Sequence, residues 1–189
     1  MDSPADRILA AAVDALSTLD PAAVSIHRIC SEAAVTPPTL YHHYGNKDGL
    51  IAAAVDKLVA GWLEQMDQLI VPRVQWADTA EAAVSAWAAM IADPSRPLAV
   101  FSWLALWSPG RSEEVRASLV RARTRAESLA GQVLLSQGLP QDRVTVFARL
   151  VVDQLLAAGL NYELDHDSEQ LRLRLLTLTD LMLAEPRDY

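Results

Sequence analysis

The chain has 189 residues, 51% of them hydrophobic, with 7 glycines, one cysteine and a formal net charge of −8. This composition excludes a disordered chain, and the acidic balance argues against a general nucleic-acid coat. The lone Cys30 excludes an intrachain disulfide framework and fits a reducing cytoplasm. Met1-Asp2-Ser3-Pro4 lacks the basic and apolar regions of a signal peptide, and no uncharged apolar run of about 18 residues occurs, so neither secretion nor a membrane span is expected. Ala and Leu dominate and alternating β-branched runs are scarce, which predicts an all-α protein of about nine helices.

In chain order, Ser3-Pro4-Ala5-Asp6 opens the first helix as an N-cap, a first-turn proline and an acid three residues on. Ile8, Leu9, Ala12, Ala15, Leu16 and Leu19 follow at helical spacing, and Asp20-Pro21 breaks the run. Ser25 caps a second helix carrying Ile26, Ile29, Cys30 and Ala33. Ala34-Val35-Thr36 then leads, after about three residues, into a third helix, the connection length of a helix-turn-helix. A fourth helix runs from Lys47 to about Ile70, ahead of Pro72. Further helices are expected from the capping box at Asp78 to Ile91, from Pro97 to Trp107, from Ser112 to Gln137, from Pro140 to Tyr162, and from Asp167 to near Pro186. Arg116, Arg121, Arg123 and Arg125 read as a solvated face of the Ser112 helix.

The stretch 36–47, Thr-Pro-Pro-Thr-Leu-Tyr-His-His-Tyr-Gly-Asn-Lys, is the most informative. Thr36 can N-cap, Pro37 takes the first helical position where its missing N–H costs nothing, Gly45 ends the helix and Asn46 can cap the next. So short a helix gains little from intrinsic propensity and must be held by packing. It displays Thr, Tyr, His and Lys together, donors suited to DNA. The first 60 residues hold four basic side chains against seven acidic ones, so any grip on DNA must come from a few well-placed groups.

Ile8 to Ala12, Val24 to Cys30, Ala34-Val35-Thr36, Thr39 to Tyr44 and Asn46 to Leu50 together resemble the tetracycline-repressor (TetR) family of bacterial transcription regulators. The resemblance covers about a third of the chain, and its specific part is Leu40-Tyr41-His42-His43-Tyr44 followed by Asn46-Lys47 and Leu50. Two departures stand out: Asp20-Pro21-Ala22-Ala23 where a glycine and an aromatic are usual, and Pro37-Pro38 where a small or basic pair is usual. The resemblance implies a three-helix helix-turn-helix domain over 1–46, joined by helix four to an effector-binding and dimerisation domain over 47–189. It implies a ligand-responsive regulator, a homodimeric repressor released from a palindromic double-stranded DNA operator by a small-molecule effector. No cofactor and no enzymatic activity are expected.

By the same resemblance Lys47 and Tyr41 contact phosphate, Thr36, Pro38, Thr39 and His42 face base edges or sugar-phosphate, and Ser25 and His27 touch the opposite backbone. The bland reading of Lys47 is a solvated helix-start lysine, which the helix dipole disfavours. Leu40 and Tyr44 read as core. His42 and His43, about 100° apart around a helix, cannot share a metal ion unaided, so no metal site is expected. Cys30 reads as a buried inert thiol.

All five tryptophans lie in positions 62–107. Large rings packed between small helices leave gaps, so Trp62, Met66, Trp87, Met90, Phe101, Trp103, Trp107, Phe147 and Val151 are the candidate lining of a pocket for an apolar or aromatic effector. The last two helices are apolar on more than one face, which suggests burial or an interface. Val152, Leu155, Leu156, Gly159, Leu171, Leu175, Leu178 and Met182 are the candidate dimer surface, in an isologous four-helix arrangement. Competing readings are a helical protein-binding adaptor and an enzyme on an all-α scaffold. No Glu-x-x-His pair, glycine-rich phosphate loop or Ser-His-Asp spacing supports the enzyme.

Overall fold

Cap residues account for where the helices begin. In the computed structural model, which describes residues 3–18, 24–65, 68, 80–92, 97–107, 112–136 and 138–183, there are nine helices and no strand among the described residues. They are α1 (Pro4–Ser17), α2 (Ile26–Glu32), α3 (Pro37–Tyr44), α4 (Lys47–Gln65), α5 (Ala80–Ile91), α6 (Pro97–Trp107), α7 (Glu113–Ser136), α8 (Gln141–Asp165) and α9 (Ser168–Leu183). Ser3 and Asp6 close the expected capping box on α1. The Ser3 hydroxyl accepts from the Asp6 N–H at 3.2 Å, and the Asp6 carboxylate accepts from the Ser3 N–H at 3.1 Å. The Ser3 hydroxyl, donating to the Asp6 carboxylate at 2.7 Å, and then the Ser3 N–H hold that carboxyl below the usual carboxylate range. Asp167 starts α9 by accepting from the N–H groups of Glu169 and Gln170, both at 3.0 Å. Gly138, at φ +87, turns the chain between α7 and α8, a conformation an L side chain resists.

Two boundaries differ from the sequence reading. Helix α8 continues three residues past Tyr162 to Asp165. It ends at His166, which takes the left-handed conformation (φ 49°) and donates its N–H to the Tyr162 carbonyl at 2.8 Å. A histidine gives no glycine-like signal for that turn, and the two rings meet edge-on at 5.6 Å. The second difference lies at Thr36. It occupies the N-cap position of α3 but makes no side-chain cap bond. Its hydroxyl instead pairs with the Thr39 hydroxyl at 3.0 Å. Pro38 removes the second-position N–H, one of the two that a capping hydroxyl can serve. The expected end of helix four near Ile70 and the capping box at Asp78 lie outside the described residues.

The chain divides into two units. The first holds residues 1–62 and 99–122, the second residues 63–98 and 123–189. In the first, α1, α2 and α3 pack on one another. The core comprises Ile8, Leu16, Val24, Ile29, Leu40, Leu50, Ile51, Val100, Leu104 and Val115, all nearly inaccessible. Each such side chain contributes about 1.5–3 kcal/mol relative to exposure. In the second unit α5 packs on α8 and α9, and α8 on α9. Helix α8 is long and apolar enough to cross a membrane by length and composition. Val144, Ala148, Val151, Val152, Leu155, Ala158 and Gly159 are nevertheless buried within the chain, as in the core helix of a folded domain. Around it Arg123 pairs with Glu127 at 2.8 Å and with Asp153 at 2.9 Å, so this part of the arginine-rich face is ion-paired as well as solvated.

Candidate nucleic-acid interface

Helix α3 buries one side chain fully. Leu40 is 0% exposed, while Thr36, Pro38, Tyr41, His42 and His43 are exposed and Thr39 is half-buried. With an apolar anchor on one side and polar and aromatic groups on the other, the helix is held by the domain and offered to solvent. Tyr44 takes the expected inner position: its hydroxyl donates to the Ala5 carbonyl at 2.9 Å, tying α3 to α1. Burial, and secondarily the Asp6 carboxylate, push that phenol above its ordinary pKa, so it remains a neutral donor.

The frame around α3 is set by backbone geometry. After α2, Ala34 adopts a positive φ of 50°, and the Val35 N–H returns to the Cys30 carbonyl at 3.0 Å. Arg7 on α1 donates from Nε to the Ala33 carbonyl at 3.0 Å, satisfying the end of α2. Ser25 caps α2 as expected, accepting from the Arg28 N–H at 3.1 Å, so its oxygen already serves the fold. At the other end of α3, Gly45 (φ +74) donates to the Tyr41 carbonyl at 2.9 Å, and the Asn46 side chain caps α4 by accepting from the Gly49 N–H at 2.8 Å. A Cβ on Gly49 would lie 2.4 Å from the Tyr44 carbonyl oxygen. The elbow between α3 and α4 is therefore closed to within a hydrogen atom's space.

Of the expected DNA contacts, α3 brings Thr36, Pro38, Thr39, Tyr41 and His42 onto one short helix, and Lys47 stands half-buried at the start of α4. Tyr41 is 45% exposed, so its hydroxyl is accessible. His27 is exposed on the first turn of α2. Arg28 is paired with Glu32 at 2.9 Å, which offsets its charge. Cys30 is 4% exposed and burial raises its thiol pKa, the environment of an unreactive thiol. Sequence reasoning missed Arg7, Gly49 and the polar contacts that α7 makes with α4. For Gly49 a signal existed, because a glycine in the first turn of a helix is unfavourable unless something approaches closely.

The candidate effector residues fall into both units. Trp62, Phe101 and Trp103 are half-buried in the first, and the Trp62 Nε1 is buried with no hydrogen-bond partner among the described residues. Trp87 and Phe147, half-buried, and Val151, buried, belong to the second. Met66 lies outside the described residues, as do the side chains of Met90 and Trp107. Phe147 and Val151 line an open groove of about 540 Å³ between α8 and α9, with Leu150, Leu173, Thr177 and Leu178. Of the candidate interface, Val152, Leu155, Gly159, Leu171 and Leu175 are buried within the chain, Leu156 and Leu178 are half-buried, and the Met182 side chain lies outside the described residues. The apolar side chains these helices turn outward include Val146, Leu150 and Leu173.

Residues 8–54 match the family model for bacterial regulatory proteins of the tetR family. The chain is 32% identical over 138 residues to the HTH-type transcriptional regulator BetI of Rhizobium meliloti (strain 1021), a match covering 70% of this chain and 66% of that protein's length. Among solved structures it is similar to a putative TetR-family transcriptional regulator from Rhodococcus sp. (TM-score 0.73, 18% identity, 97% of this chain and 100% of that one). It is also similar to SCO4454, a TetR-family regulator from Streptomyces coelicolor (TM-score 0.72, 22% identity, 96% and 95%). A third is the multidrug binding protein EbrR complexed with proflavin (TM-score 0.67, 19% identity, 93% and 99%). With the exposed α3, its capped turns and the α4 elbow all in the matched region, the chain belongs to the TetR family of bacterial transcriptional regulators.

Proposed function

We propose that this regulator is a homodimeric repressor that binds a palindromic duplex through α3 and is released by a small apolar or aromatic effector. The observation that carries the DNA reading is the split character of α3. Leu40 is wholly buried, whereas Thr36, Pro38, Tyr41 and His42 face solvent beside Lys47, on a helix that the Gly45 turn ends and the Asn46-capped start of α4 follows directly. In this reading Lys47 and the Tyr41 hydroxyl hold phosphates, and Thr36, Pro38, Thr39 and His42 meet the major groove. Pro38 presents carbon where a donor would otherwise stand, which suits a thymine methyl. Ser25 and His27 grip the opposite strand at the start of α2.

Dimerisation through α8 and α9 is supported by Leu150 and Leu173, 49% and 48% exposed, on either side of the groove that Phe147 and Leu178 also line. Val152, Leu155, Gly159, Leu171 and Leu175 then form the floor beneath the contact, with Leu156 and Leu178 nearer its surface. A two-fold dimer would present two recognition helices to half-sites about one turn, roughly 34–36 Å, apart. For the effector, support comes from the half-buried aromatic side chains and from the Trp62 Nε1, which has no partner among the described residues and suits a ligand carrying a hydrogen-bond acceptor. EbrR, of the same fold, is a multidrug binding protein seen with proflavin.

Selection of duplexes from a random pool tests the reading. The expected product is a palindrome whose binding weakens steeply with salt. Lys47→Ala should weaken it on every sequence and reduce the log–log salt slope by about 0.9, the loss of one phosphate contact. Recovery of no palindrome, or a Lys47→Ala slope equal to the parent's, would overturn it.

A further inference from the structure

The start of α7 belongs to the same unit as the DNA-facing helices and carries a small polar assembly that neither the core nor the proposed interface uses. Ser118 is 0% exposed, and its hydroxyl donates to the Ala52 carbonyl of α4 at 3.3 Å. Arg121, one turn further along α7, sends Nη2 both to the Ser118 oxygen and to the Asp56 carboxylate of α4, each at 2.8 Å. One terminal guanidinium nitrogen carries two hydrogens, so it can serve both acceptors at once. Ala52 and Asp56 are one turn apart on α4, as Ser118 and Arg121 are on α7. Two adjacent rungs therefore face two adjacent rungs.

We propose that Ser118 and Arg121 form a clasp on Ala52 and Asp56 that sets the axial position of α4, and with it the placement of Lys47 and α3 on DNA. Ser118 and Arg121 are positioning residues, and neither touches DNA. The inference rests on the DNA-binding reading above. A single contact would fix one point on α4 and leave it free to turn or slide, whereas two contacts a turn apart fix its register. An alanine at 118 would fill the buried α4–α7 contact nearly as well, and a buried hydroxyl is costly unless bonded. At 118 the hydroxyl is bonded on both sides, as donor and as acceptor. The outer half of the clasp is different in kind: the Arg121 and Asp56 side chains are 59% and 48% exposed, so their pairing is weak, salt-sensitive and easily opened. Movement at the clasp reaches the DNA side because α4 is continuous from Lys47. Asp56 lies nine residues on, about 13 Å along the axis. The tight Gly49–Tyr44 approach then carries any shift of α4 into α3.

The test uses the full-length protein and the duplex that it selects from a random pool. Arg121→Ala, Asp56→Ala and Ser118→Ala should each weaken binding by about 3- to 10-fold, as a smaller fraction of molecules holds α4 in the binding register. The salt slope should stay at the parent's value because no phosphate contact is lost. The exchanged pair Asp56→Arg with Arg121→Asp should recover most of the affinity, an outcome that loss of stability alone would not produce. Amide hydrogen exchange along residues 50–60 should quicken in the single variants and slow again in the exchanged pair. Parental affinity in all three single variants, or an exchanged pair no better than the singles, would overturn the clasp. If the parent selects no duplex, the DNA-binding reading fails by itself, and exchange decides the clasp: unchanged protection over 50–60 would refute it.

Discussion

Two glycines on α4, twelve residues apart, should respond to alanine with opposite signs. A Cβ on Gly61 would have nothing within 4 Å among the described residues, and Gly61 is exposed, so Gly61→Ala should gain only the helix-propensity difference of about 0.8–1 kcal/mol. A Cβ on Gly49 would stand 2.4 Å from the Tyr44 carbonyl oxygen. That oxygen is backbone at the end of α3 and has no rotamer to yield. Restoring ordinary contact, at 3.4 Å or more, moves the first turn of α4 away from α3 by about 1 Å. Overpacking of this kind costs about 1–3 kcal/mol, which exceeds the propensity gain at its middle and upper range. The expected net is a destabilisation of up to about 2 kcal/mol. In a chain of this length 1 kcal/mol corresponds to about 2–4 °C in Tm, so Gly49→Ala should melt as much as about 8 °C lower and Gly61→Ala about 2–4 °C higher. Urea unfolding followed by far-UV circular dichroism gives the free energies directly, with equal m-values confirming that the unfolded state is not the source. A Gly49→Ala protein as stable as Gly61→Ala would refute the close approach, and with it the argument that the elbow transmits α4 movement to α3.

Two further substitutions probe the frame of α3. Ala34 holds a left-handed backbone that costs an L residue about 1–2 kcal/mol, partly offset by the extra unfolded-state freedom of glycine, so Ala34→Gly should stabilise by about 0.5–1 kcal/mol in the same urea assay. An unchanged or lower midpoint would count against the strained turn. Tyr44→Phe removes the bond to the Ala5 carbonyl and should cost about 0.5–1.5 kcal/mol at neutral pH. Because the folded-state pKa of Tyr44 is raised, its contribution is fully present below the unfolded-state pKa of about 10 and is lost as pH rises through the folded-state value. Stability against pH should therefore fall less steeply in alkali for Tyr44→Phe than for the parent. Parallel curves would show that Tyr44 is not the buried phenol responsible.

The elements most readable in the sequence were those whose signal is local. Ser3 with Asp6, Ser25, Gly45 with Asn46, and Asp167 each act within about four residues, and all function in the structure as turn or cap groups. Thr36 is the instructive exception. The rule for its residue type failed where Pro38 removed an N–H it would have capped and Thr39 offered a hydroxyl instead. His166 shows the opposite failure, a turn made by a residue with no turn signature, held by its own cap bond and by the Tyr162 ring.

Sequence alone determined the all-α class, the helix-turn-helix with α3 as its outward element, and the family, because helical period, caps and a motif of fixed offsets are properties of neighbours in the chain. Tertiary structure decided which groups distant in sequence do the holding. Apolar patterning marks that a face is buried but not against what, so it could not reveal that Val152, Leu155, Leu171 and Leu175 are spent within the chain while Leu150 and Leu173 face outward. Nor could a serine and an arginine at 118 and 121 be matched to Ala52 and Asp56, more than sixty residues away, since a hydrogen bond depends on distance in space and leaves no trace in spacing along the chain.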